Sequence, residues 1–150
     1  MKISIIAIGN ELLIGQVIDT NSGDIARKFA PYGWEVNDVQ VVDDNTREIV
    51  RAIDRAFESS DVVITTGGLG PTKDDITKAT LCEYFGGEMQ EDPSVLDNIK
   101  RVFEKRGLTL NELTARQAVV PTSCKVIQNT VGTAPIMWFE KDGKVLVSMP

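Results

Sequence analysis

Histidine is absent from the 150 residues, which removes Ser-His-Asp triads, histidine general bases and His-ligated zinc from consideration. Acid–base or metal chemistry then falls to carboxylates and water. Cysteine is scarce: Cys82 and Cys124 stand far apart without metal or redox spacing and read as reduced structural thiols. There is no run of basic residues. Sixteen Lys and Arg against 22 Asp and Glu give a net charge of −6, so duplex nucleic acid is not an expected partner, because affinity there comes mainly from neutralising phosphates. Long apolar stretches are missing too, and Met1 leads directly into a strand-like run instead of a basic segment followed by a long apolar one. No export signal or membrane span is expected, and the cytoplasm is the expected compartment.

What is present suffices for one ordinary domain over residues 1–150, with 42% hydrophobic residues. Its centre is the stretch from Asp61 to Ala79. A β-branched run, Val62 to Thr66, stops at Gly67-Gly68-Leu69-Gly70, and Asp74-Asp75 then opens a segment with helical spacing at Ile76, Ala79, Leu81 and Phe85. Glycines at a strand–helix junction permit positive φ and close approach of a ligand, and a helix N-terminus offers unpaired N–H groups, so an anion is the natural guest. Gly67, Gly68 and Gly70 are expected to present N–H groups to a phosphate, with a side chain at Gly68 intruding on the ligand. Neither a Walker loop nor a dinucleotide fingerprint fits Gly70-Pro71-Thr72-Lys73. One Asp would serve as a helix cap. A second carboxylate beside a phosphate calls for a cation between them, which points to a metal-bridged phosphate.

Elsewhere, Lys2 to Ile8 is almost continuously apolar, as in a strand covered on both faces. Gly9 ends it, and Asp19-Thr20-Asn21 can cap a helix to about Pro31 with Ile25, Ala26 and Phe29 inward. Trp34 to Val42 alternates around Val36, Val39 and Val41. Asp43 and Asp44 follow as loop or cap residues, and Asn45 with Glu48 fits a capping box before a helix bearing Ile49, Ile53, Ala56 and Phe57. Asp92-Pro93 starts another helix that Gly107 stops. Asn111 to Ala118 is helical in composition, closed by Pro121. Asp142-Gly143 between two apolar runs signals a hairpin. Alternating strands and helices predict an α/β domain, a three-layer α/β/α sandwich whose mostly parallel sheet ends in a C-terminal antiparallel hairpin.

The run from Thr65 to Thr77 resembles the TTGG-x-G-P-x-x-D-D-x-T signature of the molybdopterin-binding (MoaB/Mog-like) domain family. Leu69 after the double glycine and the Asp74-Asp75 pair resemble its CinA-type (competence/damage-inducible) N-terminal branch. Gly9-Asn10-Glu11-Leu12-Leu13-Ile14-Gly15, Arg116-Gln117-Ala118 and Asn129-Thr130-Val131-Gly132-Thr133-Ala134-Pro135 match further family segments in the expected order. The resemblance implies a cleft lined by Asn10, Glu11, Asp19, Asn21, Thr66, Gly67, Gly68, Gly70 and Thr72, closed over by Asn129, Gly132, Ala134 and Pro135. It implies Asp75 and Asp44 as catalytic residues and ligands of a divalent metal such as Mg²⁺, with Glu11 and Asp74 in reserve. No haem, flavin or zinc is expected.

Three activities are compatible with it. One is a metal-dependent pyrophosphatase acting on ADP-ribose or a related nucleotide, another is molybdopterin binding with adenylylation, and the third is a ligand-sensing or oligomerisation module without turnover. Leu69 and the paired Asp favour the first. The resemblance also implies a homo-oligomer, dimer or trimer. The family continues into a P-G-x-P-x-E segment after the last strand, so a chain ending at Met149-Pro150 is expected to be a truncated domain.

Overall fold

The computed structural model describes residues 1–69 and 76–150. The apolar run at the start forms β1 (Lys2–Ile8), buried from Ile3 onward. The chain continues through α1 (Asn10–Leu13), α2 (Asn21–Phe29), β2 (Glu35–Val42), α3 (Thr46–Ser59), β3 (Val62–Thr66), α4 (Ile76–Phe85), β4 (Met89–Glu91), α5 (Pro93–Lys105), α6 (Glu112–Ala115), β5 (Val119–Pro121), β6 (Lys125–Ile127), β7 (Ile136–Lys141) and β8 (Lys144–Met149). A six-stranded sheet has the order β2-β1-β3-β8-β7-β6, and β4-β5 form a separate antiparallel pair. β2, β1, β3 and β8 run parallel. β7 reverses against β8 and β6, which makes the sheet mixed, as expected. The hairpin turn places Asp142 at φ 52° and Gly143 at φ 74°, the left-handed pair that a two-residue type I′ turn requires.

Burial on both faces explains why β1 reads as unbroken apolar sequence. Ile3, Ile5 and Ile64 meet Ile25 and Phe29 of α2 on one face. On the other, Ile6, Ile8, Val63 and Leu146 pack with Ile49, Ile53 and Ala56 of α3 and Leu81 of α4. Ile49 and Ile53 are fully buried, and each contributes roughly 2 kcal/mol of apolar transfer. Val36, Val39 and Val41 break strict alternation for a physical reason. The register slips from Ile3↔Val36 to Ser4↔Asp38, a bulge that returns all three valines to the Ile3–Ile5–Ala7 face. Val39 and Val41 nevertheless remain 48% and 38% exposed.

Two local expectations need adjustment. The helix expected to reach Pro31 ends at Phe29, and Pro31 sits in a 3₁₀ turn at Ala30–Tyr32. Only half of the capping box forms: Asn45 Oδ1 accepts from Arg47 N at 2.9 Å and Glu48 N at 3.4 Å, whereas the Glu48 carboxylate turns to Arg51.

Asp92 performs the predicted capping of α5, its Oδ1 accepting from Ser94 N at 2.8 Å and Val95 N at 3.3 Å. The Ser94 hydroxyl, with these two backbone donors, holds its carboxyl below the ordinary value of 3.8, against a smaller opposing effect of burial. A depressed folded-state pKa means the stabilisation is complete above the ordinary carboxylate value and is lost as pH falls through the lower folded value. Asp92→Ala is expected to lose about 1 kcal/mol at neutral pH, with the difference from the parent shrinking below pH 4. Urea melts across pH 2–7 measure this directly.

Candidate functional site

The parallel strands β2, β1 and β3 end on one edge of the sheet, which gathers the segments after Ile8, Val42 and Thr66. The β1–β2 crossover carries α2 on one face, and the β2–β3 crossover carries α3 on the other. The strand order therefore reverses beside β1, and outside the C-terminal ends of strands at such a switch point is where open α/β sheets take ligands.

Backbone contacts fasten the edge together. Gly9 N donates to Val42 O at 3.0 Å, and Gly67 N donates to Met149 O at 3.2 Å. The Gly67 N–H is thus spent on β8, which corrects its expected role as a phosphate donor. Gly67 and Gly68 have φ +85° and +67°, a region that favours glycine. A Cβ on Gly67 would run into the Ile8 carbonyl oxygen, and one on Gly68 into Thr77 Oγ1 with Ile8 Cγ2 at 3.3 Å. The missing side chain at Gly68 hence makes room for Thr77 of α4. Leu69, only 1% exposed, plugs the core beside Ile8 and Ala134. The residue that distinguishes the branches is a packing residue.

Asp44 follows β2 and lines an open cavity of about 640 Å³ with Asn45, Thr46, Arg47, Glu48 and Ile76. Ile76 is the residue after Asp75 in sequence, so the cavity joins Asp44 to the beginning of α4. Thr80 and Thr46 share a hydroxyl hydrogen bond of 3.1 Å that ties α4 to α3 there. The Asp44 N–H donates to Asp43 Oδ1 at 2.9 Å. Gly70, Thr72, Asp74 and Asp75 lie outside the described residues.

The other candidates divide by how much of each side chain remains available. Asn10 and Glu11 are exposed at the start of α1, and the Glu11 carboxylate folds back over Gly9, where a Cβ would lie 2.5 Å from its Oε1. Asn21 is exposed as the first residue of α2. The Asp19 carboxylate accepts from Ser22 N at 3.1 Å and from the Ser22 hydroxyl, so it caps α2. Thr66 is 4% exposed and Ala134 7%, and Pro135 is buried. Asn129 builds its own loop: Oδ1 accepts from Gly132 N at 3.1 Å, and Nδ2 donates to Ala134 O at 3.0 Å. That loop enters β7 at the edge where β8 ends, but Asn129 spends its amide on shaping it.

Sequence reasoning did not single out Lys78. It is fully buried, and its Nζ donates to Gln117 O and Val119 O, each at 3.0 Å. The available signal was a lysine on the helical stripe of Leu81, Cys82 and Phe85. A second crevice, of about 380 Å³, lies beside Asp92, Val120 and Cys124. Burial pushes the Cys124 thiol up to about 11, so it stays protonated at neutral pH and is no nucleophile.

A family model described as "probable molybdopterin binding domain" matches residues 4–150. The crystal structure of the protein CinA with unknown function from Thermoplasma acidophilum superposes with TM-score 0.84 at 35% identity, covering 98% of this chain and 86% of that one. The chain belongs to this family, in its CinA-like branch. A CinA-like protein from Flavobacterium psychrophilum is 44% identical over 153 residues, spanning 100% of this chain and 36% of that protein. The chain thus spans little more than a third of the length of such relatives. The tungsten cofactor synthesizing protein MoaB from Pyrococcus furiosus shares the fold at TM-score 0.60 and 20% identity, over 98% of this chain and 78% of its own. No helix among the described residues is long and apolar enough to cross a membrane.

Proposed function

We propose that this CinA-like domain binds a nucleotide diphosphate at the sheet edge and hydrolyses the pyrophosphate of ADP-ribose or a related nucleotide with a divalent metal. The observation that carries the reading is the shared cavity: Asp44 and Ile76, the residue after Asp75, line one opening, and Gly67, at the end of the neighbouring strand β3, is bonded to Met149 of β8. The cavity's volume lies in the range of small-ligand sites. Hydrolysis adds water to one phosphorus and breaks the bridging P–O bond, releasing AMP and ribose 5-phosphate. In a chain without histidine, a carboxylate is the group at hand to orient that water.

The residues fit Mg²⁺ only in a limited way. Among the described residues no three carboxylates or thiols gather as a cage. Mg²⁺ commonly uses one or two carboxylates, with water and substrate phosphates filling the remaining positions. Asp44, with Asp75 from the glycine-loop segment, would hold the ion, which when bound would neutralise phosphate charge and acidify water.

A second reading follows from the family's description: a pterin phosphate would occupy the same edge and be activated by adenylylation. Incubation with ADP-ribose and Mg²⁺, and separately with molybdopterin, ATP and Mg²⁺, separates the two. AMP from ADP-ribose, abolished by chelation, is expected. Adenylylated pterin alone would replace this reading with the second, and binding without turnover would leave a sensing module. We also propose a homo-oligomer, and a light-scattering mass equal to one chain would contradict it.

A further inference from the structure

The two edges of the main sheet are protected very differently. β6 is three residues long, and so short an edge offers little to an incoming strand. β2, at the other end of the sheet, has eight residues with neither proline nor lysine among them, and among the described residues it pairs on one side only, with β1. Its bulge lies near the start, between Val36 and Asp38, which leaves Asp38 to Val42 as a regular run. Val39 and Val41 project from that run on the face that carries α2, 48% and 38% exposed. The strand also packs against α1, where Leu13 and Ile14 are 53% and 63% exposed. A long edge with bare apolar side chains is a template for another strand.

The strand that fits it is a second β2. Antiparallel pairing about a two-fold axis at Gln40 sets Val39 opposite Val41 of the second copy, and Val41 opposite its Val39, so that four exposed valines cover one another. Asp38, the one carboxylate in the paired run, meets Val42. The charges on the other face agree with the same axis. Gln40 Nε2 donates to Ala52 O at 3.4 Å, so the axis passes beside the middle of α3, and the two copies of α3 run antiparallel at two to three strand spacings, about 10–14 Å. Glu48 of each copy then comes beside Arg55 of the other. Both residues line the groove of about 360 Å³ between β2 and α3 along this edge. We propose that β2 is the dimerisation edge of this chain, through which two copies of the sheet become one continuous sheet. The inference rests on the homo-oligomer reading above and adds its surface and symmetry, an isologous pair that closes at two chains.

Light scattering of the 150-residue chain is expected to give the mass of two chains. Val39→Lys combined with Val41→Lys sets lysine against lysine across the axis. Association should weaken by about a hundredfold or more, giving the mass of one chain with an unchanged far-UV circular dichroism spectrum. Val39→Cys combined with Val41→Cys reads the same geometry without added charge. Opposed Cβ atoms in such a pair lie about 4.5–5.5 Å apart, so mild oxidation should yield a covalent dimer that the parent, with Cys82 buried and Cys124 partly buried, does not form. If the lysine pair does not fold, the cysteine pair decides. A parent mass of one chain overturns both this edge and the homo-oligomer. A parent mass of three chains, a dimer that persists in the lysine variant, or no covalent dimer from the cysteine variant overturns the edge and leaves the homo-oligomer standing.

Discussion

Asp75→Asn is expected to lower metal-dependent AMP release from ADP-ribose by about 10³-fold while leaving the melting temperature within a few degrees of the parent. Asparagine keeps the size and capping ability of aspartate and removes only the charge. Asp75 immediately precedes Ile76, with which α4 begins and which shares a cavity with Asp44. Asp44→Asn is expected to cause a loss of similar order. If both carboxylates serve one metal, the double variant should be hardly worse than either single one, because residues acting as a unit are not additive. Independent, multiplying losses would assign the two aspartates to separate roles. Full activity of Asp75→Asn would remove it from the chemistry.

Gly67→Ala is expected to destabilise the fold by about 3 kcal/mol or more in urea unfolding. Two penalties combine at this position. The backbone is at φ +85°, and the new Cβ would press on the Ile8 carbonyl oxygen, which belongs to the buried end of β1. Gly143 provides the control, having φ +74° with nothing within 4 Å of a Cβ. Gly143→Ala should therefore show only the conformational part, about 1 kcal/mol. Equal losses at both positions would mean that close packing of the loop on β1 contributes nothing.

The fold was legible where local signals and burial agree. β1 reads as apolar on both faces because it is covered on both, and Asp142-Gly143 reads as a turn because positive φ is needed twice. β4, β5 and β6 went unseen since each is a three-residue segment, too short for any period to emerge. Val36, Val39 and Val41 violate a period of two, and only the strand register shows that a bulge restores it. Strand order alone was enough to place the segments after β1, β2 and β3 at one edge. Sequence could not assign what each polar group does there. Asn129, Asp19 and the Gly67 amide are polar in sequence, yet each is consumed within the protein. Lys78 and Gln117 have the converse character: their importance comes from contacts between residues 39 and 48 positions apart, which no local pattern encodes.

The most direct measurement of the central claim is an amide chemical-shift titration with ADP-ribose and Mg²⁺. If the nucleotide lies at the carboxyl edge of the sheet, the largest shifts will fall on Gly9, Asn10, Asp44, Gly68 and Ile76, and they will weaken when Mg²⁺ is withheld. Shifts confined to the crevice of Asp92, Val120 and Cys124, or no shifts at millimolar nucleotide, would contradict it.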